Sequence, residues 1–275
     1  MNPSFDIQAS EIETGTARLF VEAGPMGVSM VVLDSTNYFK AVVIYSFSNK
    51  LNEKDLSEKI TEILQSQNLL QLQYSKTHIF WSFPESILVP PGMVNADTNN
   101  EMLNLVFGDL KKEVPKSDFL YKHNLHNIYR VPQSIHDSFV KKLPYATQTH
   151  QYSTMVNRDM GEGSNLYAVF YTNSLTLMLC IEGKLQVIQN FAYDNPEDTA
   201  YHLLNVCKSF AIQPNKVTLN ISGLIDEKSN LYAAIYKYFL LINFDSLLPD
   251  FSYIDEIEEH PPHFFNHLFA FASCV

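Results

Sequence analysis

Cysteine, basic charge and long apolar runs are all scarce in this chain, and each scarcity removes a class of function. Three cysteines occur in 275 residues. Cys180, Cys207 and Cys274 are odd in number, far apart and set in apolar surroundings, so they read as buried reduced thiols, not as a disulfide framework or a zinc set. Lys and Arg together number 19 against 30 Asp and Glu, for a formal net charge of −11. The densest basic cluster, Lys111, Lys112 and Lys116, is interrupted by Glu113. Binding to nucleic acid rests on cations that displace phosphate counterions, so neither nucleic acid nor an anionic membrane is an expected partner. No apolar stretch approaches the ~20 residues that span a bilayer. The N-terminal Met1-Asn2-Pro3-Ser4-Phe5-Asp6 lacks the basic-then-apolar order of a secretory signal. The cytoplasm is the expected compartment.

What is present is core-forming material. Hydrophobic residues make up 46% and charged residues 18% of the sequence, with nineteen Phe and fifteen Tyr against one Trp. That length supports two lobes of ordinary size. After a polar, acidic stretch over 1–15, read as a leader strand or loose arm, three strand-like runs follow closely: Leu19–Val21, Val28–Leu33 and Phe39–Tyr45. Gly24-Pro25 and Asp34–Asn37 supply the turns. A helix capped by Asn52 carries Leu56, Ile60, Ile63 and Leu64 on one face, and a strand is expected at His78–Trp81. Helices are expected near 99–107 and 133–142, with strands near 118–122 and 127–131.

The second half begins again in the same way. Leu166–Tyr171, Leu175–Cys180 and Leu185–Phe191 form a second meander. A helix capped by Asn195, with Pro196 first and Glu197-Asp198 in its opening turn, buries Ala200, Leu203, Leu204, Cys207 and Phe210. A strand at Val217–Ile221, a helix from Asn230 to Phe239 and a strand at Leu240–Phe244 complete the unit. Strand meander, helix, strand, helix, strand, written twice, predicts two mixed sheets covered by helices. The loop-like stretch Arg158–Ser164 divides them, giving a first lobe over 1–160 and a second over 161–275. A C-terminal helix over about 262–273 could pack back on the first lobe.

This duplicated order resembles the actin-like ATPase superfamily, an α/β fold of two ribonuclease-H-like lobes. Several stretches resemble more specifically a bacterial family, domain of unknown function 3822. They are Asn190–Tyr193 with Glu197–Leu204, then Leu219–Gly223 and Ser229–Tyr232, with weaker matches at Gly27–Ser29 and Ile128–Pro132. The resemblance implies the fold, but its motifs are structural and carry almost no chemistry.

An ATPase of this fold would hold Mg²⁺ and a water with an acidic residue in each of two phosphate hairpins, and seat adenosine against a glycine pair. In the first hairpin, Val21–Gly27, Glu22 stands where Asp is expected. Gly24 is kept, and Pro25 removes a backbone N–H that a phosphate would use. The second, Phe170–Ser174, has neither acid nor glycine. The adenosine-side pair is Ser222-Gly223. Glu22, Gly24, Ser222 and Gly223 are therefore the candidate nucleotide-binding residues, and no catalytic or metal residue is assigned.

Other chemistries are weaker still. A ribonuclease-H-type nuclease needs several carboxylates on two metal ions, and the first meander offers Glu22 before the boundary acid Asp34. His260, His263 and His267 lack a His-Glu-x-x-His motif and read better as part of a packing helix with Phe264, Leu268, Phe269 and Phe271. Ser222 lacks the frame of a nucleophile elbow. Gly161-Glu162-Gly163 lacks the strand-to-helix context of a dinucleotide fingerprint. The sequon Asn220-Ile221-Ser222 falls in an expected strand. The expected function is a non-enzymatic scaffold with a degenerate nucleotide cleft and no cofactor, acting on a protein partner. A nucleotide- or small-molecule-binding protein using that cleft is the alternative.

Overall fold

The computed structural model describes residues 1–47, 51–109 and 112–274; Lys111 of the basic cluster lies outside them. The chain forms two compact units, one of Met1–Asn157 with Ser252–Ile254, the other of Arg158–Phe251 with Asp255–Val275.

In the first unit, β1 (Phe5–Gln8) precedes a meander of β2 (Arg18–Gly24), β3 (Gly27–Leu33) and β4 (Tyr38–Ser46). These three strands are apolar on both faces and almost wholly buried, the pattern of strands in the middle of a covered sheet. Pro25 and Met26 make the tight turn from β2 to β3. Gly27 follows at φ +151°, where a Cβ would lie 2.0 Å from the Tyr45 carbonyl oxygen, so no other residue fits. Helix α1 (Glu53–Ser66) starts at Asn52, whose side chain accepts from the Asp55 N–H at 2.9 Å. It buries Leu56, Ile60, Ile63 and Leu64, the stripe read from the sequence. The crossover delivers β5 (Lys76–Trp81) parallel to β2.

The chain then departs from the simple repeat. β6 (Ser86–Val89), α2 (Ala96–Phe107), β7 (Glu113–Leu120) and β8 (Leu125–Pro132) build a separate three-stranded antiparallel sheet in the order β6-β8-β7. Three sheets replace the two expected. The strands near 118–122 and 127–131 have strand chemistry but do not join the main sheet, because their nearest partners are each other, through the short turn at 121–124. Helix α3 (Gln133–Lys142) then leads to β9 (Thr147–His150), parallel to β5, and α4 (Gln151–Asn157) follows.

A buried polar network fastens the inserted sheet to this last strand and helix. The Asp118 carboxylate on β7 accepts from the Ser153 hydroxyl and the His150 N–H, both at 2.7 Å. The Asn127 amide donates to Ser153 at 3.1 Å, and His150 Nε2 donates to the Phe83 carbonyl at 2.8 Å. Burial pulls the His150 pKa down to about 4, so the ring is neutral and keeps this tautomer. Within the insert, fully buried Arg130 reaches Glu85 at 2.7 Å and also meets Glu113. Its guanidinium donates to Asn104 Oδ1 and the Gly108 carbonyl, both at 3.1 Å, which holds the end of α2 onto the sheet.

The second unit is the plain version. β10 (Ser164–Phe170), β11 (Ser174–Ile181) and β12 (Lys184–Ala192) form the meander. Helix α5 (Pro196–Ser209), β13 (Thr218–Gly223), α6 (Asn230–Tyr236) and β14 (Leu241–Phe244) follow. Asn195 and Asp198 cap α5 reciprocally, each side chain accepting from the other's backbone N–H. Cys180 and Cys207 are buried, whereas Cys274, read with them as buried, is exposed; burial raises the Cys207 pKa to about 11.

The two main sheets share one order. β12-β11-β10-β13-β14 in the second unit repeats β4-β3-β2-β5-β9 in the first, with the meander antiparallel and the last two strands parallel. In the first unit the outer edge of β4 is covered twice: β1 pairs with Ala41–Ile44, and β15 (Ser252–Tyr253) pairs with Tyr38 and Phe39. The C-terminal residues of the second unit form α7 (Asp255–Glu258), a 3₁₀ turn at Pro262–Phe264, α8 (Asn266–Phe269) and a second 3₁₀ turn at Ala270–Cys274, in place of one helix over about 262–273. Phe265 separates the 3₁₀ turn that begins at Pro262 from α8; Leu268, Phe269 and Phe271 are buried as the apolar spacing requires, while Phe264 is only half-buried and Phe265 is buried in its place.

Candidate functional site

Glu22 and Gly24 lie at the end of β2 in the first unit, whereas Ser222 and Gly223 end β13 in the second. Glu22 is 3% exposed, opposite Ser29 on β3 and Phe80 on β5. Gly24 is there for close approach: a Cβ would sit 2.3 Å from the Ser82 hydroxyl. The hairpin carbonyl of Met26 accepts from the Phe47 N–H at 2.8 Å. On β5, opposite Phe20, His78 is held between the Thr147 and Thr149 hydroxyls at 2.7 Å each and stacks on Phe80. Burial lowers its pKa to about 4, so it carries no charge at neutral pH.

In the second unit the matching hairpin spends its polar groups on itself. The Tyr171 N–H donates to the Ser174 carbonyl at 2.8 Å. The Tyr171 carbonyl accepts from the Tyr193 hydroxyl at 2.6 Å, and the Asn173 carbonyl from the Tyr193 N–H at 3.0 Å. Tyr193, just beyond β12, was not foreseen from sequence; its only signal was its place in the Asn190–Tyr193 stretch.

Ser222 and Gly223 are used by the lobe's own chain. Gly223 has φ +88°, and a Cβ there would be 2.2 Å from the Phe170 carbonyl, which also accepts from the Leu224 N–H at 2.8 Å. Glycine is thus demanded by the packing of β13 against β10. Buried Ser222 donates to the His263 carbonyl at 3.0 Å, and His263 Nε2 donates to the Ile225 carbonyl at 2.7 Å. The His263 ring packs on Phe244 with centroids 4.4 Å apart. Next to it Asn266 donates to Asp245 at 3.2 Å, and His267 meets the Tyr171 ring edge-on at 5.7 Å. Burial drives the His267 pKa down to about 3, leaving a neutral imidazole. The C-terminal segment therefore lies over the strand ends that carry the serine, the glycine and the second hairpin. The three C-terminal histidines do not converge, and among the described residues no three His, Cys, Asp or Glu side chains gather to hold a metal ion.

Two units with one five-strand order, each with a meander followed by two parallel strands, have the architecture of the actin-like ATPase fold. The chain belongs to the family described as "Protein of unknown function (DUF3822)", whose model matches residues 6–242. Among solved structures it is similar to a protein of actin-like ATPase fold and unknown function from Bacteroides thetaiotaomicron, at 16% identity, over 86% of this chain and 94% of that one, with a TM-score of 0.73. It is similar in fold to the PilM–PilN type IV pilus biogenesis complex, at 10% identity over 94% and 98% of the two chains, TM-score 0.59. The ethanolamine utilization protein EutJ from Carboxydothermus hydrogenoformans shares the fold at 8% identity over 97% and 92%, TM-score 0.50. No curated protein matches the chain. No helix among the described residues is long and apolar enough to cross a membrane.

Proposed function

We propose that this protein is a non-enzymatic, cytoplasmic scaffold that keeps the actin-like fold and acts by binding another protein. The observation that carries this reading is the use of Ser222 and Gly223 within the second unit. The serine hydroxyl is committed to His263, and the glycine to Phe170, so a nucleotide at that strand end would have to displace the C-terminal segment. The hairpins add support: Glu22 is one methylene longer than the Asp an ATPase would use, and the Phe170–Ser174 hairpin has no acid at all. Displacing a catalytic group by ~1 Å can cost ~100-fold in rate. A protein partner with basic character suits the net charge of −11. The fold serves such a role elsewhere, since PilM is solved in complex with PilN.

Calorimetry with ATP and ADP in the presence of Mg²⁺ tests the reading, together with a phosphate-release assay. No saturable heat and no turnover are expected. Saturable binding that is lost in Glu22→Gln would establish the alternative, a nucleotide-binding protein, and remove the scaffold reading.

A further inference from the structure

The main sheets of the two units treat the same edge differently. In the first, the third meander strand β4 is closed on its outer side by β1 and β15. In the second, the equivalent strand β12 is nine residues long and ends the sheet, and none of its residues is buried. Among the described residues nothing pairs with its outer side. Natural edge strands are normally protected by shortness, proline or charge along their length, because their free N–H and C=O groups otherwise recruit another strand. The edge strand β7 of the inserted sheet has Pro115 and Lys116, and β14 has only four residues. β12 has no proline, and its one charge, Lys184, stands at its first position.

We propose that β12 is a docking edge for an extended segment of a different protein, added as an antiparallel strand and preceded by lysine or arginine. This rests on the scaffold reading and names its surface. The orientation follows from β1, the longer of the two strands on the equivalent edge, which runs antiparallel to β4 from Phe5 opposite Ile44 to Gln8 opposite Ala41, whereas the two-residue β15 runs parallel. The charge follows from what flanks β12. An antiparallel strand begins beside Ala192, and there Asp194 and Glu197 are exposed, with Asp198 close by in the cap of α5. Half-buried Val187, Ile188 and Phe191 offer apolar rows that a strand of alternating β-branched residues would continue. A second copy of this chain is the poorer occupant, because two chains of charge −11 repel and antiparallel pairing of two β12 strands about Ile188 would set Glu182 of each opposite Asp194 of the other.

The probe is a capped synthetic peptide, Lys-Lys-Thr-Val-Thr-Val-Thr-Val-Thr, compared with one carrying its two lysines at the C-terminal end and one N-methylated at alternate amides. Amide NMR shifts and hydrogen exchange locate binding, and calorimetry at low and high salt measures it. The expected result is slowed exchange confined to β12, affinity about tenfold higher for the lysine-first peptide at low salt, and loss of binding on N-methylation. Asp194→Asn with Glu197→Gln should erase the preference for lysine position while leaving the chain folded, since neither side chain is buried. Three results would overturn the proposal: no change at β12, equal binding of the N-methylated peptide, or protection of β12 without peptide alongside a dimer in sedimentation. Nucleotide calorimetry is independent of all three, so failure here leaves the scaffold reading to another surface.

Discussion

The first unit adds to the shared five-strand sheet at its side, and the second adds at its strand ends. β1 and β15 line the edge of β4 in the first, and an inserted three-stranded sheet is braced by the Arg130 network and fastened to His150 and Ser153 through Asp118. The second has no insert, leaves β12 bare, and lays its C-terminal residues across the ends of β10 and β13. One topology has thus been closed off at different places. On the proposed reading, the covered strand ends leave little room for a ligand and the uncovered strand edge is where a partner docks.

The sharpest way to break this comparison is Gly223→Ala. A methyl group 2.2 Å from the Phe170 carbonyl at φ +88° should cost more than about 4 kcal/mol, confined to the second unit. The lone tryptophan makes that testable, because Trp81 is buried in β5 of the first unit against Phe139. Its fluorescence should report a transition that moves less than the far-ultraviolet dichroism midpoint; equal shifts would mean that the units unfold as one. Arg130→Ala should cost about 3–5 kcal/mol, since it leaves two carboxylates and the end of α2 without their cation, and here the Trp81 signal should move with the rest. Ser222→Ala removes one buried hydrogen bond and should cost about 1–2 kcal/mol, with faster exchange of amides around residues 263–269. Asn195→Ala should cost about 1 kcal/mol through loss of the α5 cap.

A further effect concerns pH. Burial, with the Glu85 carboxylate beside it, raises the Glu113 pKa to about 7 from 4.5, against the pull of Arg130. Between these values the folded chain binds the proton that the unfolded chain has released. Stability of the first unit should therefore fall as pH rises from about 4.5 through about 7 and then level off. Glu113→Gln should flatten that slope when denaturation midpoints are compared across the range.

Local signals were legible in the sequence wherever a short stretch determines its own structure. The caps at Asn52 and Asn195 and the stripe from Leu56 to Leu64 required only residues a few positions apart. Strand partnership is a different matter, because Asp118 and Ile128 sit in runs with strand composition that do not reveal which sheet they join. β6 and β9, four residues each, were too short to register against their surroundings. At the candidate site, the residue types were readable and their duties were not. Ser222-Gly223 has the look of a ligand-binding pair, yet what fixes each residue is the Phe170 carbonyl or the backbone at 263, forty-one residues from Ser222 along the chain.

β15 carries a consequence for synthesis. The Ser252 N–H donates to the Asn37 carbonyl at 3.0 Å, the Ile254 N–H to Phe39 at 3.3 Å, and Tyr253 stacks on Phe39 with ring centroids 5.3 Å apart. The ribosome delivers these residues roughly two hundred positions after their partners, a long loop to close for a two-residue strand. While the chain is being made, the Tyr38–Phe39 end of β4 stays bare until residues 252–254 have emerged, so a nascent or truncated product ending before residue 252 carries a sticky edge that the folded molecule does not.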